Sequence, residues 1–195
     1  EQKQEEEFRG EILKKIKKLE SHSDLELDQL QRQAVIEAVL HGVFILTGGP
    51  GTGKTTTINM IIRYFESEGM DIFLAAPTGR AAKRMTEATG FEARTIHRML
   101  ELNGGLEEDG RKASFSKNQE NPLEADVVII DEMSMVDIHL FQALLKAITP
   151  GTRLIMVGDV NQLPSVGPGQ VLHDLILSQT FSVVGLENFQ TGTGQ

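Results

Sequence analysis

The stretch FILTGGPGTGKTTT, residues 44–57, decides how the rest of the chain is read. A short apolar run breaks into glycines and then meets Lys54 and a block of threonines. Glycines let a backbone bend until its N–H groups converge on a phosphate, and the helix N-terminus that follows adds partial positive charge. Residues 48–55 fit the spacing G-x-x-x-x-G-K-[ST] between a strand and a helix. The expectation is that Gly49, Pro50, Gly51, Thr52 and Gly53, with Thr56 in the first helical turn, wrap the phosphates of a nucleoside triphosphate. Lys54 would reach the β- and γ-phosphates and the Thr55 hydroxyl would coordinate Mg²⁺. The bland alternative is a glycine-rich turn with no ligand.

Working outward, the chain alternates short apolar runs with amphipathic segments. GVFIL, DIFLAA, DVVIID, TRLIMVGD and FSVVGL read as strands. Between them GKTTTINMIIRYFES, GRAAKRMTEATG, MVDIHLFQALLKAI and GQVLHDLILS read as helices, with a further short helix over TIHRMLEL. This alternation predicts an α/β domain, a mainly parallel sheet with helices on both faces. Upstream, Phe8, Ile12, Ile16 and Leu19 recur at helical spacing within residues 5–20, and a second helix is expected from about Asp28 to His41. Residues 1–26 thus read as an N-terminal helical extension and 27–195 as the domain itself. The segment 103–122, rich in Gly, Asn and charge, is expected as a surface excursion, a loose hairpin at most.

VVIIDE places Asp131 and Glu132 where a buried strand emerges. Beside a phosphate loop, one carboxylate of the pair is expected to hold Mg²⁺, directly or through water, and the other to polarise water for attack on the γ-phosphate; a solvated turn is the alternative. MVGDVNQLPSVGPGQ follows the next strand, and Gln162 is a candidate γ-phosphate sensor; a polar turn without a role is the alternative. Thr78, Gly79 and Arg80 lie at a strand-to-helix turn, where hydroxyl, N–H and guanidinium can meet a phosphodiester or simply start a solvated helix. His97 reads as a packing histidine or a ligand contact. Asp28 and Gln31 are spaced as a capping box, with an adenine contact by Gln31 as the sharper reading.

Composition bounds these readings. The chain has 195 residues, 39% hydrophobic and 24% charged, with a net charge of −9, which argues against whole-surface attraction to nucleic acid. Locally the balance reverses: between residues 72 and 100, Arg80, Lys83, Arg84, Arg94 and Arg98 outnumber Glu87 and Glu92. The absence of cysteine excludes disulfides, thiolate zinc sites and a cysteine nucleophile. With no apolar run of membrane-spanning length and a polar start, EQKQEEEFRG, a cytoplasmic protein is expected.

Taken together, these segments resemble the RecD-like DNA helicases of superfamily 1, which include the alpha subunit of exodeoxyribonuclease V. LTGGPGTGKTTT is similar to helicase motif I, APTGRAAKRM to motif Ia, TIHRML to a following DNA-contact motif, DEMSMVD to motif II and GDVNQLPSVGPGQVL to motif III. LELDQLQRQAV resembles the Q motif, with Gln31 at the adenine-reading position. The resemblance implies a RecA-like P-loop NTPase domain, the first of two motor domains, that uses ATP and Mg²⁺ to move 5′ to 3′ along single-stranded DNA. It makes Lys54, Glu132 and Gln162 catalytic, gives the metal to Thr55 and Asp131, and makes Thr78, Gly79, Arg80, Thr95 and His97 candidate contacts to DNA. It also implies a second RecA-like domain supplying an arginine, and other subunits of a helicase–nuclease complex as partners. The chain has Phe189-Gln190-Thr191 where the family commonly has Phe-Arg-Gln, so a fragment with slow turnover is expected. A ring-forming AAA+-type ATPase and a non-hydrolysing nucleotide-binding module are the competing readings.

Overall fold

The structure is a computed structural model that describes residues 1–103, 114–161 and 169–187. It opens with α1 (Gln2–Ser21) and α2 (Gln29–Leu40), followed by β1 (Val43–Thr47), α3 (Lys54–Ser67), β2 (Ile72–Ala76), α4 (Gly79–Thr89), β3 (Ala93–Thr95) and a single turn α5 (Ile96–Met99). A two-residue pairing of β4 (Leu102–Asn103) with β5 (Ser114–Phe115) comes next. Then follow β6 (Val127–Ile130), a 3₁₀ turn (Met133–Met135), α6 (Ile138–Ala147), β7 (Arg153–Gly158), α7 (Val171–Leu177) and β8 (Ser182–Gly185).

Six strands form one sheet in the order β3-β2-β6-β7-β1-β8, and every pairing in it is parallel. A sheet covered on both faces needs strands apolar on both sides, which is why these strands read as continuous runs. Phe44, Leu46, Val127, Ile129, Ile155 and Val157 point into one core with α1, α2 and α3. Ile45, Val128, Ile130, Leu154 and Met156 point into the other with α5, α6 and α7. Fully burying such a side chain stabilises the fold by about 1.5–3 kcal/mol.

The crossovers place the site. The helix after β1 packs on one face, whereas the helices after β6 and β7 pack on the other. Adjacent strand ends whose connections leave to opposite faces open a crevice at the C-terminal edge, where ligands bind in such sheets.

The N-terminal helix is part of the first core. Ile12 and Ile16 are buried against α2 and α3, while Phe8, one turn earlier, is half exposed. Ion pairs fasten the same helix: Arg9 to Glu37 at 2.6 Å, Lys15 to Glu68 at 2.5 Å and Glu20 to Arg32 at 2.8 Å. Burial would push the Glu37 carboxyl up, but the hydrogen bond and charge of Arg9, then His41, outweigh it and hold it below its usual range. The Arg32 hydrogen bond likewise lowers Glu20. No helix among the described residues is long and apolar enough to cross a membrane.

The sequence did not announce β3, and TIHRMLEL forms one helical turn rather than a longer helix. The excursion over 103–122 begins in the β4–β5 pairing and runs on past β5; residues 104–113 lie outside the described segments.

Candidate nucleotide site and flanking surface

β1 delivers the chain into the phosphate loop, which the sequence shapes at each step. Gly51 and Gly53 take left-handed φ values of 74° and 84°, open to glycine at little cost. At Gly48 an added Cβ would sit 2.5 Å from Thr52 Oγ1. The Thr52 hydroxyl is itself committed, donating to the Gly49 carbonyl at 2.7 Å, so this residue braces the loop through its side chain. The Lys54 ammonium folds over the loop and donates to the Gly48 carbonyl. α3 starts at Lys54, and its first backbone bond is Thr57 N–H to Gly53. The N–H groups of Lys54, Thr55 and Thr56 therefore stand at a helix N-terminus, aimed out of the loop.

Asp131 and Glu132 leave β6 beside that loop. Asp131 N–H still bonds the Ala75 carbonyl at 2.9 Å, so the carboxylate is held at the strand end. Burial pushes the Asp131 carboxyl above its usual range; the backbone N–H of Glu132 and the cations Lys54 and Arg84 oppose the rise, and the Glu132 charge adds to it. Glu132 adopts φ 53°, ψ 42°, a left-handed conformation that is strained for a side-chain-bearing residue. Lys54, Thr55, Asp131 and Glu132 line one cleft of 270 Å³, with Arg84 and Met85 of α4 on its far wall.

Gln31 is buried and doubly engaged. Its Oε1 accepts from Asp28 N–H at 2.8 Å while Asp28 accepts from Gln31 N–H at 2.8 Å, completing the capping box. Its Nε2 donates to the Gly53 carbonyl at 3.2 Å, which joins α2 to the phosphate loop. An added Cβ on Gly53 would overlap that amide. In this conformation the Gln31 amide serves the cap and the loop rather than an open pocket. Gln162 lies outside the described residues, as do Phe189, Gln190 and Thr191.

The candidate DNA contacts stand along the same sheet edge, beyond β6. Thr78 caps α4, accepting from Ala81 N–H at 3.1 Å, and Thr95 caps α5, accepting from Arg98 N–H at 3.1 Å. A capping hydroxyl accepts through a lone pair and keeps its O–H to donate outward. Gly79, Arg80 and His97 are exposed, and the His97 ring lies 6.0 Å from that of Phe115. Ala81, next to Arg80, lines the cleft with Lys54 and Asp131, so one end of α4 borders both that cleft and the candidate DNA contacts.

Three features escaped the sequence reading. Arg84 was counted only as part of a basic strip, although Ala81, Met85 and Ala88 share the cleft wall and mark that helix face. Asp159 is buried after β7, with Oδ1 accepting from Asn161 N–H at 2.9 Å. Leu186, just past β8, donates its N–H to the Thr47 carbonyl at 2.7 Å, and its own carbonyl lies 3.2 Å from where a Gly48 Cβ would be. Arg153 stands at the opposite end of the sheet, where it bonds the Val39 carbonyl at 2.7 Å and covers Phe65.

The donor set suits a magnesium nucleotide. A hydroxyl (Thr55) and a carboxylate (Asp131) are hard oxygen ligands, and Mg²⁺ in such sites takes one or two protein oxygens plus phosphates and water. The backbone donors, Lys54 and Arg84 supply the opposing charge for phosphates.

Comparison with known proteins agrees with this geometry. A family model described as an AAA domain matches residues 31–168. The chain is 40% identical over 160 residues to the ATP-dependent RecD2 DNA helicase of Deinococcus radiodurans, covering 82% of this chain and 21% of that protein. It is 40% identical over 169 residues to the RecBCD enzyme subunit RecD of Mycolicibacterium smegmatis, covering 75% and 30%. Among solved structures it resembles Pif1 from Bacteroides sp in complex with ADP-AlF4, with a TM-score of 0.57 and 26% identity over 84% of this chain and 42% of that one. Pif1 helicase from Candida albicans gives 0.58 and 26%, over 84% and 40%. The chain spans under a third of the length of these curated relatives and under half of the solved chains. A phosphate loop and an acid pair on an all-parallel sheet, with the family model matched over residues 31–168, place this chain in the AAA-domain family.

Proposed function

We propose that this chain is the ATP-driven motor domain of a DNA helicase that moves 5′ to 3′ along single-stranded DNA. The observation that carries the reading is the single cleft shared by Lys54, Thr55, Asp131 and Glu132, with the α4 terminus at its rim. Lys54 and the first N–H groups of α3 bind the phosphates. Thr55 and Asp131 hold Mg²⁺, which supplies charge neutralisation when bound. Glu132 accepts a proton from the attacking water, and Gln162 registers the γ-phosphate. Thr78, Gly79, Arg80, Thr95 and His97 bind the strand.

Residues 27–195 form the motor domain in this reading, and residues 1–26 are a helical extension fastened to it. A second RecA-like domain closes the cleft with an arginine, worth ~10³–10⁵ in rate in related enzymes, so this chain alone binds ATP and hydrolyses it slowly. The RecD name of its relatives supports a cytoplasmic DNA-processing role, alone or with nuclease subunits.

The test is DNA-stimulated ATPase of the complete protein, wild type against Glu132→Gln. Single strands should stimulate the wild type, and the variant should bind Mg²⁺–ATP unchanged while hydrolysis falls ~10²-fold or more. Hydrolysis indifferent to DNA, or to the variant, overturns the proposal.

A further inference from the structure

Ser134 is the second residue of the 3₁₀ turn that follows Glu132. Its hydroxyl is buried and has no hydrogen-bond partner among the described residues. Folded proteins seldom leave such a group orphaned, because it has given up water and received nothing in return. The turn that carries it is also the one that starts with the strained Glu132 backbone. It presses directly on the end of β7: a Cβ on Gly158 would sit 3.3 Å from Ser134 N and 3.4 Å from Met133 N.

The next residue along β7 is Asp159, a buried carboxylate. One of its oxygens holds the Asn161 N–H; the other faces the phosphate loop, 3.8 Å from where a Gly49 Cβ would stand. A buried donor lacking an acceptor and a buried acceptor thus sit on touching segments, whose residues Glu132 and Gly158 line the candidate nucleotide cleft.

We infer that Ser134 is a positioning residue for Glu132: its hydroxyl donates to the Asp159 carboxylate when a γ-phosphate-bearing nucleotide fills the loop. That bond ties the turn carrying Glu132 to the segment leading to Gln162. The inference rests on the reading of the cleft given under Proposed function. A hydroxyl that gains its partner in one state only contributes to the difference between states, not to binding in general. It therefore favours the triphosphate over the diphosphate. A mere packing defect would act on every state alike.

The experiment compares wild type, Ser134→Ala, Asp159→Ala and the double variant, by thermal unfolding without nucleotide and by calorimetric titration with Mg²⁺–ATPγS and Mg²⁺–ADP. Ser134→Ala removes only an unpartnered group, so its midpoint without nucleotide should equal the wild type's or exceed it by ~2–4 °C. Its ATPγS affinity should fall ~5–10-fold while ADP affinity stays within ~2-fold. In the Asp159→Ala background, where no acceptor is left, the Ser134 change should have no further effect on ATPγS. Equal losses for both nucleotides, an unchanged ATPγS affinity, or fully additive variants would overturn the inference. A wild type that binds neither nucleotide would overturn the reading of the cleft itself, and this inference with it.

Discussion

Gly53→Ala tests the contact that joins α2 to the phosphate loop. Gly53 has φ 84°, and its missing Cβ is where the Gln31 amide rests. Placing alanine in the left-handed region costs about 1–2 kcal/mol, from which the lower entropy of the unfolded alanine chain removes about 0.4–1 kcal/mol. Gln31 must then withdraw, giving up its bond to the Gly53 carbonyl and loosening the capping box, about 1 kcal/mol more. The sum is about 2 kcal/mol, or ~4–8 °C in midpoint for a chain of this size. Differential scanning calorimetry of Gly53→Ala, Gln31→Ala and the double variant measures it. With the amide gone the alanine has room, so the double variant should be more stable than the sum of the singles by about 1 kcal/mol. Additivity to within about 0.3 kcal/mol would refute the contact, since independent sites behave that way.

Three further outcomes follow from other parts of the fold. The carboxyls of Glu37 and Glu20 are held below their usual range by Arg9 and Arg32, so the stabilisation they give is present above the ordinary glutamate value of 4.5 and is lost as pH falls through their lowered values. Hydrogen exchange in α1 should accelerate over that acid window, and Glu37→Gln should flatten the dependence; an unchanged profile would count against it. Arg84→Gln removes a cation from beside Asp131, so Mn²⁺ binding to the chain without nucleotide, read by paramagnetic resonance, should tighten ~3–10-fold. No change would place Arg84 outside the field of the acid pair. Thr78→Val should cost about 1 kcal/mol of stability through the lost cap and weaken binding to a fluorescent single strand, whereas Thr78→Ser should keep both; equal behaviour of the two would show that the hydroxyl is idle.

Much of this architecture was legible because buried parallel strands must be apolar on both faces, so β1, β2, β6, β7 and β8 stand out as uninterrupted runs. The phosphate loop, the acid pair and the Asp28–Gln31 cap were legible because each is local, set by spacing within a few residues. β3 was not: Ala93-Arg94-Thr95 is a three-residue edge strand with an exposed arginine at its centre, and its pairing to β2 gives no periodic signal. The second role of Gln31 was hidden because its partner is Gly53, on another element. Arg84 and Asp159 were hidden because residue type alone does not say which of several charges turns towards a cleft. The backbone hand of Glu132 left no trace in the sequence, since glutamate rarely takes it.

One contact carries a consequence for how the end of β8 is coupled to the loop after β1. The strand next to the phosphate loop hands the polypeptide on at Leu186, whose amide is still bonded to Thr47 at the loop's threshold. Leu186 is therefore held at the loop's threshold, at the C-terminal edge of the sheet and not at its far end. Any shift of Thr47 reaches Leu186 through backbone bonds of the β1–β8 pairing, before any side chain has relayed it.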